Sequence, residues 1–437
     1  MDLELVAEAR RCAEAGWAWV LEQVHHDDAG PWIPVSVPRE GDPVVVEEYR
    51  DCVYEGIAGL APTLAEIALT RPWSDPERAL ADAVVARLVV AEVGDEAGLY
   101  TGLAGSAAAL RMLSPGAEQP VLGRLAALAT SDGWPTRSFG EPAVPGNDVL
   151  MGDSGAVLVC AWLGGPTAHG LAARGSEVLV RRGRPTGGGL AWTMYDGDRD
   201  RMMPNFSHGT AGVATALAVA GHVLARPDLV RQAWLGAEHL VTLADLGDGG
   251  FRLPLQIPAA EDREPFAYGW CHGPTGTMNL FGALELAGVD AVAGRAPAEW
   301  RARCVRSLET SGLPERLRPG FWDNDGRCCG TAGVLDAVLT QVQATGDPAL
   351  LWFADRLAST LVDRARATTP DGSRCCWRFH EHRAEQTDLD PQVGWMQGAA
   401  GIVAALSRYA RVREHGLDAT RLGHPDDWWM HVDPPAP

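Results

Sequence analysis

Three short stretches of this chain carry side chains that bind metals or move protons, and each stands at the same point of a recurring motif. FSHGTAG (206–212) places His208 directly before a Gly-x-x-Gly. GWCHGPTG (269–276) places Cys271 and His272 there, and RCCGTAG (327–333) places Cys328 and Cys329 there. Zinc takes thiolate and imidazole ligands in a tetrahedron; three protein ligands leave a catalytic position open, and four close the site. Cys271, Cys328 and Cys329 supply three thiols from two successive motifs. A lone buried cysteine is usually a small core residue. Three in one phase of a repeat point instead to a shared ligand set. A disulfide between the neighbours Cys328 and Cys329 would be strained. His208 holds the same phase without a thiol and reads as an acid/base. His272 is a tempting fourth ligand, but a fourth would close the site, so it is expected to face substrate or support the ligands.

Two other clusters lack this phase. Cys375-Cys376, followed by His380 and His382, is assigned to packing and surface. His25-His26-Asp27-Asp28 lies beside Gly30-Pro31 and reads as a solvated turn.

The motif itself sets the architecture. Gly-x-x-Gly followed by small and apolar residues occurs seven times, its first glycines at 56, 102, 152, 209, 273, 330 and 398. Self-similarity at that spacing marks a repeat fold. After each copy comes an alanine-rich run such as VATALAVAGHVLA, suited to a helix buried on most sides. Between copies lie amphipathic stretches such as LVRQAWLGAEHLVTLA (229–244). Each repeat is therefore an outer helix, a loop, the glycine turn and an inner helix, and buried inner helices favour a closed ring over an open solenoid. The first glycine of each turn is expected at positive φ and the second in close packing. In a ring the residues before the turns converge near inner-helix N-termini, which favour anions. Residues 176–206, rich in Gly and Arg, read as an irregular insertion near the ring mouth. Residues 412–437 read as a Pro- and Trp-containing tail.

Composition narrows the partners. The net charge is −20 and all 37 basic residues are arginine. So acidic a surface argues against nucleic acid and anionic membranes, and the missing lysine removes P-loop and kinase chemistry. No apolar run is long enough to span a bilayer. The first residues, MDLELVAEARR, lack the basic start and apolar run of a signal peptide, so reduced thiols in the cytoplasm are expected.

SHGTAG (207–212), GWCHGPTG (269–276) and CCGTAG (328–333), supported by DVLMGDSG (148–155), resemble the lanthionine synthetase C-like (LanC-like) cyclases over essentially the whole chain. The second zinc motif reads Cys-Cys-Gly, as in a subset of the family, where Cys-His-Gly is commoner. The resemblance implies an all-α, single-domain α/α toroid of seven inner and seven outer helices, here residues 1–411. It implies a zinc ion held by Cys271, Cys328 and Cys329, with His208 as acid/base and Asp148 orienting the substrate or a proton. Such enzymes add a peptide cysteine thiol to Cβ of dehydroalanine or dehydrobutyrine, giving lanthionine or methyllanthionine rings. The precursor peptide arrives already dehydrated, so a separate dehydratase is expected. An arginine often found four residues before the first zinc cysteine is replaced by Ala267, with Arg263 and Arg327 the nearest substitutes. Three rival readings remain. Addition of a glutathione-type thiol to dehydroamino acids of damaged proteins needs the same zinc site. The second is an α/α-toroid carbohydrate-active or prenyl-transferring enzyme, of which glycosidases need a carboxylate pair and no zinc. A non-catalytic helical-repeat binding module needs no metal.

Overall fold

The computed structural model describes residues 3–91, 96–136, 144–197, 202–259, 264–315, 317, 322, 324–380 and 388–427. Among them fourteen α-helices alternate between amphipathic and buried. In chain order the pairs are α1 (Leu3–Glu22) with α2 (Leu60–Ala68), α3 (Asp75–Val90) with α4 (Leu103–Leu113), α5 (Gln119–Leu128) with α6 (Asp153–Leu163), α7 (Gly165–Arg182) with α8 (Thr210–Val223), α9 (Pro227–Leu243) with α10 (Pro274–Leu286), α11 (Pro297–Thr310) with α12 (Thr331–Thr345), and α13 (Pro348–Arg364) with α14 (Ala399–His415). The only strands among the described residues form antiparallel two-stranded hairpins: β1 (His25–Asp27) with β2 (Gly30–Trp32), β3 (Arg184–Thr186) with β4 (Gly189–Ala191), β5 (Arg366–Ala367) with β6 (Cys375–Cys376), and β7 (Phe379–His380) with β8 (Asp388–Leu389).

Each helix class follows from its sequence. In α9 the buried Leu229, Ala233, Gly236, Ala237 and Leu240 recur along one face. Proline opens α9, α11 and α13 at a position where no backbone donor is lost. Ser74 and Glu77 form a capping box at the start of α3. By contrast α8 is buried continuously from Thr210 to Gly221, because its small side chains let neighbours approach on every face.

The described residues fall into two compact units. The first draws on Met1–Glu92, Ala109–Ala117 and Gly312–Leu422. Here α1 lies along α14 and also touches α13 and β6, so early and late segments of the chain share a core. Arg408, 2% exposed, donates to Asp336 at 2.7 Å, and Arg411 pairs with the buried Glu66. The second unit draws on Val93–Ala108, Glu118–Ser311 and Gly423–Pro437. In it α8 packs against both α6 and α10, and each of these three lies on the amphipathic helix that follows it in the chain, α6 on α7, α8 on α9 and α10 on α11.

The glycine turns work by close approach rather than by unusual torsion. The first glycines flanking α2, α6, α8, α10, α12 and α14 have φ between −98° and −154°, not the positive values expected from sequence. Their necessity is steric: a Cβ on Gly209 would fall 1.5 Å from the carbonyl oxygen of Met203. The second glycine is equally crowded, with a Cβ on Gly333 falling 2.0 Å from the carbonyl oxygen of Arg327. The chain curls back so that early helical N–H groups reach carbonyls seven residues upstream. Thr331 donates to Asn324 at 3.2 Å, Ala332 to Asp325 at 3.1 Å and Ala211 to Pro204 at 3.0 Å. Ala399 donates to Gln392 at 2.9 Å. The unpaired donors of a helix start are thereby satisfied without a side-chain cap.

A second repeated element was not anticipated. After α5, α7 and α13 the chain makes a tight antiparallel turn, and a buried tryptophan follows. The indole N–H of Trp134 donates to Leu125 O at 2.9 Å, that of Trp192 to Leu179 O at 2.7 Å, and that of Trp377 to Leu361 O at 2.8 Å. Each thereby occupies a carbonyl near the end of its helix. This corrects the reading of 176–206 as an insertion. Residues 176–182 complete α7, with Ser176, Val178 and Leu179 buried, and β3–β4 with Trp192 repeats the pattern of the other units. The boundary at 411 likewise falls inside α14, and residues 428–437 of the expected tail lie outside the described residues.

Two glycines test this account. Gly333→Ala should destabilise the chain by about 3 kcal/mol, since backbone must move. Gly123→Ala in α5, where a Cβ meets nothing within 4 Å, should stabilise it by about 0.5–1 kcal/mol. Denaturant midpoints check both, and equal effects would show that the turn is not sterically fixed.

Candidate metal centre

The residues preceding successive turns are stitched together through their backbones. In the first unit Met396 N–H donates to Tyr54 O at 2.9 Å and Cys328 N–H to Met396 O at 2.8 Å. In the second, Tyr100 N–H donates to Leu150 O, Val149 N–H to Ser207 O and Ser207 N–H to Cys271 O, each at 3.0 Å. The side chains before the glycines are thus held by main-chain bonds that do not depend on their identity. The early helical N–H groups that sequence reserved for anions are engaged by the upstream carbonyls.

Cys271 and Cys328 are buried, and Cys329 is partly exposed. No disulfide joins any of the nine cysteines; the Sγ atoms of Cys328 and Cys329 stand 3.4 Å apart. The ligand atoms of Cys271, Cys328 and Cys329 all lie within 4.8 Å of one another, the only such metal-competent group among the described residues. Thiolates ligating one tetrahedral zinc at about 2.3 Å stand roughly 3.8 Å apart, so this donor set suits zinc in both chemistry and spacing. His272 is not in the group.

His208 is held by a carboxylate. Its Nδ1 lies 2.7 Å from Oδ2 of Asp148, which is 1% exposed and also accepts from Met151 N–H at 3.1 Å. An ionised carboxylate only accepts, so in this pair Nδ1 carries the proton and Nε2 is left for chemistry. The ring of His272 lies 5.4 Å from that of His208, tilted by 40°.

A family model described as lanthionine synthetase C-like protein matches residues 47–415, through both units. The chain belongs to this family. Among solved structures the LanC-like chain is similar to nisin cyclase, with a TM-score of 0.58 and 14% identity over 83% of this chain and 89% of that one. It is also similar to the Lin0763 protein from Listeria innocua (TM-score 0.49, 12% identity, 93% and 98% covered) and to an unsaturated glucuronyl hydrolase specific for heparin (0.48, 10%, 94% and 98%). No curated protein matches it. The likeness to nisin cyclase gives the fold: the expected all-α toroid, as a single domain.

The remaining sequence candidates separate cleanly. Arg327 does not extend toward a substrate. Its Nη2 is 2.8 Å from Asp336 and its guanidinium stacks 4.2 Å from the Trp395 ring. Arg263 and His382 lie outside the described residues, as does the side chain of His380. Cys375 is buried in β6 with its Sγ 4.0 Å from that of Cys12, away from any glycine turn. His25 stacks on Trp32 at 4.7 Å within the β1–β2 hairpin, and no chain of ligands forms there. Among the described residues no helix is long and apolar enough to cross a membrane.

Sequence reasoning passed over Glu55, which fills in the first repeat the slot His208 fills in the fourth. Burial raises its carboxyl from 4.5 to about 7. Because the folded value is the higher one, its stabilising effect is complete below pH 4.5. It is lost as pH rises to about 7, since the unfolded chain ionises first. Glu55→Gln should therefore gain stability over the parent chain between these limits, by on the order of 2 kcal/mol. Urea unfolding of both chains at about pH 4.5 and pH 8 checks this, and a difference independent of pH would contradict it.

Proposed function

We propose that this LanC-like chain is a zinc-dependent peptide cyclase that joins cysteine thiols to dehydroalanine or dehydrobutyrine, forming lanthionine or methyllanthionine rings in a dehydrated precursor peptide. The observation that supports this most is the coincidence of two devices in one repeat phase: a trio of thiols spaced for a single ion, and a histidine held by a buried carboxylate.

Cys271, Cys328 and Cys329 would hold the ion, which when bound lowers the pKa of a further thiol and makes its thiolate available near neutral pH. Sulfur bonds to Cβ of the dehydro residue, and the electron pair of the Cα=Cβ bond moves into an enolate that must take a proton at Cα. His208 supplies that proton, and Asp148 keeps its ring in one tautomer and orientation. A positioned acid of this kind contributes about 10²–10⁴-fold. His272, outside the thiol group, faces the substrate beside His208. The addition is balanced, because the proton lost by the thiol equals the one gained at Cα, and no oxidant enters. Dehydration of serine and threonine is assigned to a separate protein, and the cytoplasm to the reaction.

Zinc analysis and mass spectrometry of a dehydrated Ser/Thr/Cys-bearing peptide, with unreacted thiols counted by alkylation, test the proposal. The purified chain should hold one zinc and consume thiols without change in peptide mass. Cys271→Ala and Cys328→Ala should lose the metal. His208→Ala and Asp148→Asn should keep it and slow cyclisation by about 10²-fold or more. A metal-free, inactive wild-type chain would sink the reading, and loss of zinc from His208→Ala would make that histidine a ligand.

A further inference from the structure

Beyond α14, residues from Gly423 onward belong to the second unit, and one of them is a buried carboxylate. Asp426 is 8% exposed. Its Oδ2 accepts two hydrogen bonds, from the indole N–H of Trp270 at 2.9 Å and from the hydroxyl of Tyr100 at 3.0 Å. Trp270 is the residue immediately before Cys271, and Tyr100 immediately precedes Thr101 in the slot of the second repeat. The Trp270 ring meets Tyr100 edge-on at 5.1 Å and Phe206 edge-on at 5.4 Å. Phe206 is fully buried and stands two residues before His208. One carboxylate thus fixes an indole that packs, through a single aromatic cluster, on the loop segments leading to Cys271 and to His208.

We propose that Asp426 is a positioning residue: by holding the Trp270 indole it sets the placement of Cys271 and, through Phe206, of His208. This rests on the cyclase reading above. The physical case is one of degrees of freedom. Backbone bonds such as Ser207 N–H to Cys271 O locate the main chain but leave the loop free to rock about them. A tryptophan locked at its far end by a hydrogen bond to a carboxylate removes that motion, because its ring is rigid and packs edge-on against Tyr100 and Phe206. Outer partners of metal ligands typically change metal affinity or activity by 10–100-fold when removed.

The decisive comparison is Asp426→Leu, which keeps the branch at Cγ and loses the acceptor, against Asp426→Asn, which keeps an accepting oxygen. Hydrogen exchange on the full-length chain should show amides 268–273 and 205–209 exchanging about tenfold faster in Asp426→Leu, with Asp426→Asn close to wild type and amides 324–330 unchanged. Zinc release to a chelator should accelerate about tenfold in the Leu variant only. Thioether formation should lose kcat at unchanged KM. If the Leu variant fails to fold, Tyr100→Phe removes one donor while keeping the ring, Trp270→Phe removes the other while keeping an aromatic side chain of smaller size, and both should raise exchange in the same two segments. Exchange and zinc release indistinguishable from wild type in these variants would overturn the proposal. A general loosening that also reaches 324–330 would overturn it too, since Asp426 would then be ordinary support. Absence of zinc from the wild-type chain would overturn the cyclase reading, while the exchange comparison still decides the role of Asp426.

Discussion

The rest of this structure depends on how closely one stretch of backbone can lie on another at the glycine turns. In the last four turns the second glycine sits where a Cβ would fall about 2 Å from a carbonyl oxygen six residues earlier: Phe206 for Gly212, Trp270 for Gly276, Arg327 for Gly333 and Trp395 for Gly401. That approach lets the loop supply carbonyls to the first N–H groups of the buried helix. The helix start is then complete without a serine, threonine or aspartate cap. Capping is the task such positions usually impose on side chains. Relieved of it here, the side chain before the first glycine is free to vary. It is Glu55, Thr101, Met151, His208, His272, Cys329 or Gln397 along the chain.

This separation of scaffold from chemistry decided what could be read from the sequence. The repeat and its helices were legible because glycine spacing and alanine-rich runs are backbone requirements, visible one residue at a time. The three thiols were legible because they share the turn's phase. Asp148 was reachable only through family resemblance, since nothing local marks a residue in the third repeat as the partner of a histidine in the fourth. The torsion of the first glycines was misjudged. Crowding by Met203 or Asn324 demands glycine as strictly as positive φ does, and sequence does not distinguish the two causes.

Other features were hidden because they depend on pairings between separate elements of the chain. Arg327 looks available beside Cys328, yet Asp336 and Trp395 hold it. Asp336 in turn serves Arg408, 72 residues away, so the arginine belongs to a buried charge network of the first unit. Burying such charges singly would be costly, and pairing keeps them tolerable without making them a large source of stability. A chain whose every cation is arginine suits that use, because guanidinium can stack on an indole and bridge carboxylates at once. The tryptophans after α5, α7 and α13 did carry a signal, a Gly-rich turn followed by Trp. Around Trp192 it was read as an irregular insertion because the indole's partner lies back on the preceding helix.

The thiol trio is held unequally, and this shows where tertiary structure matters. Cys328 and Cys329 are neighbours in one turn, and their sulfurs stand 3.4 Å apart. Only Cys271 must be delivered by another part of the fold. Its delivery depends on the glycine turn before α10, on the backbone bond from Ser207, and on whatever fixes the loop ahead of it. A small displacement of that loop would leave two thiols close together and the third out of reach, so the energetic demand for precision concentrates on residues 268–273. That is also the loop whose tryptophan is gripped by both an aromatic cluster and a buried carboxylate. Rigid packing is thus concentrated where covalent connectivity cannot do the positioning.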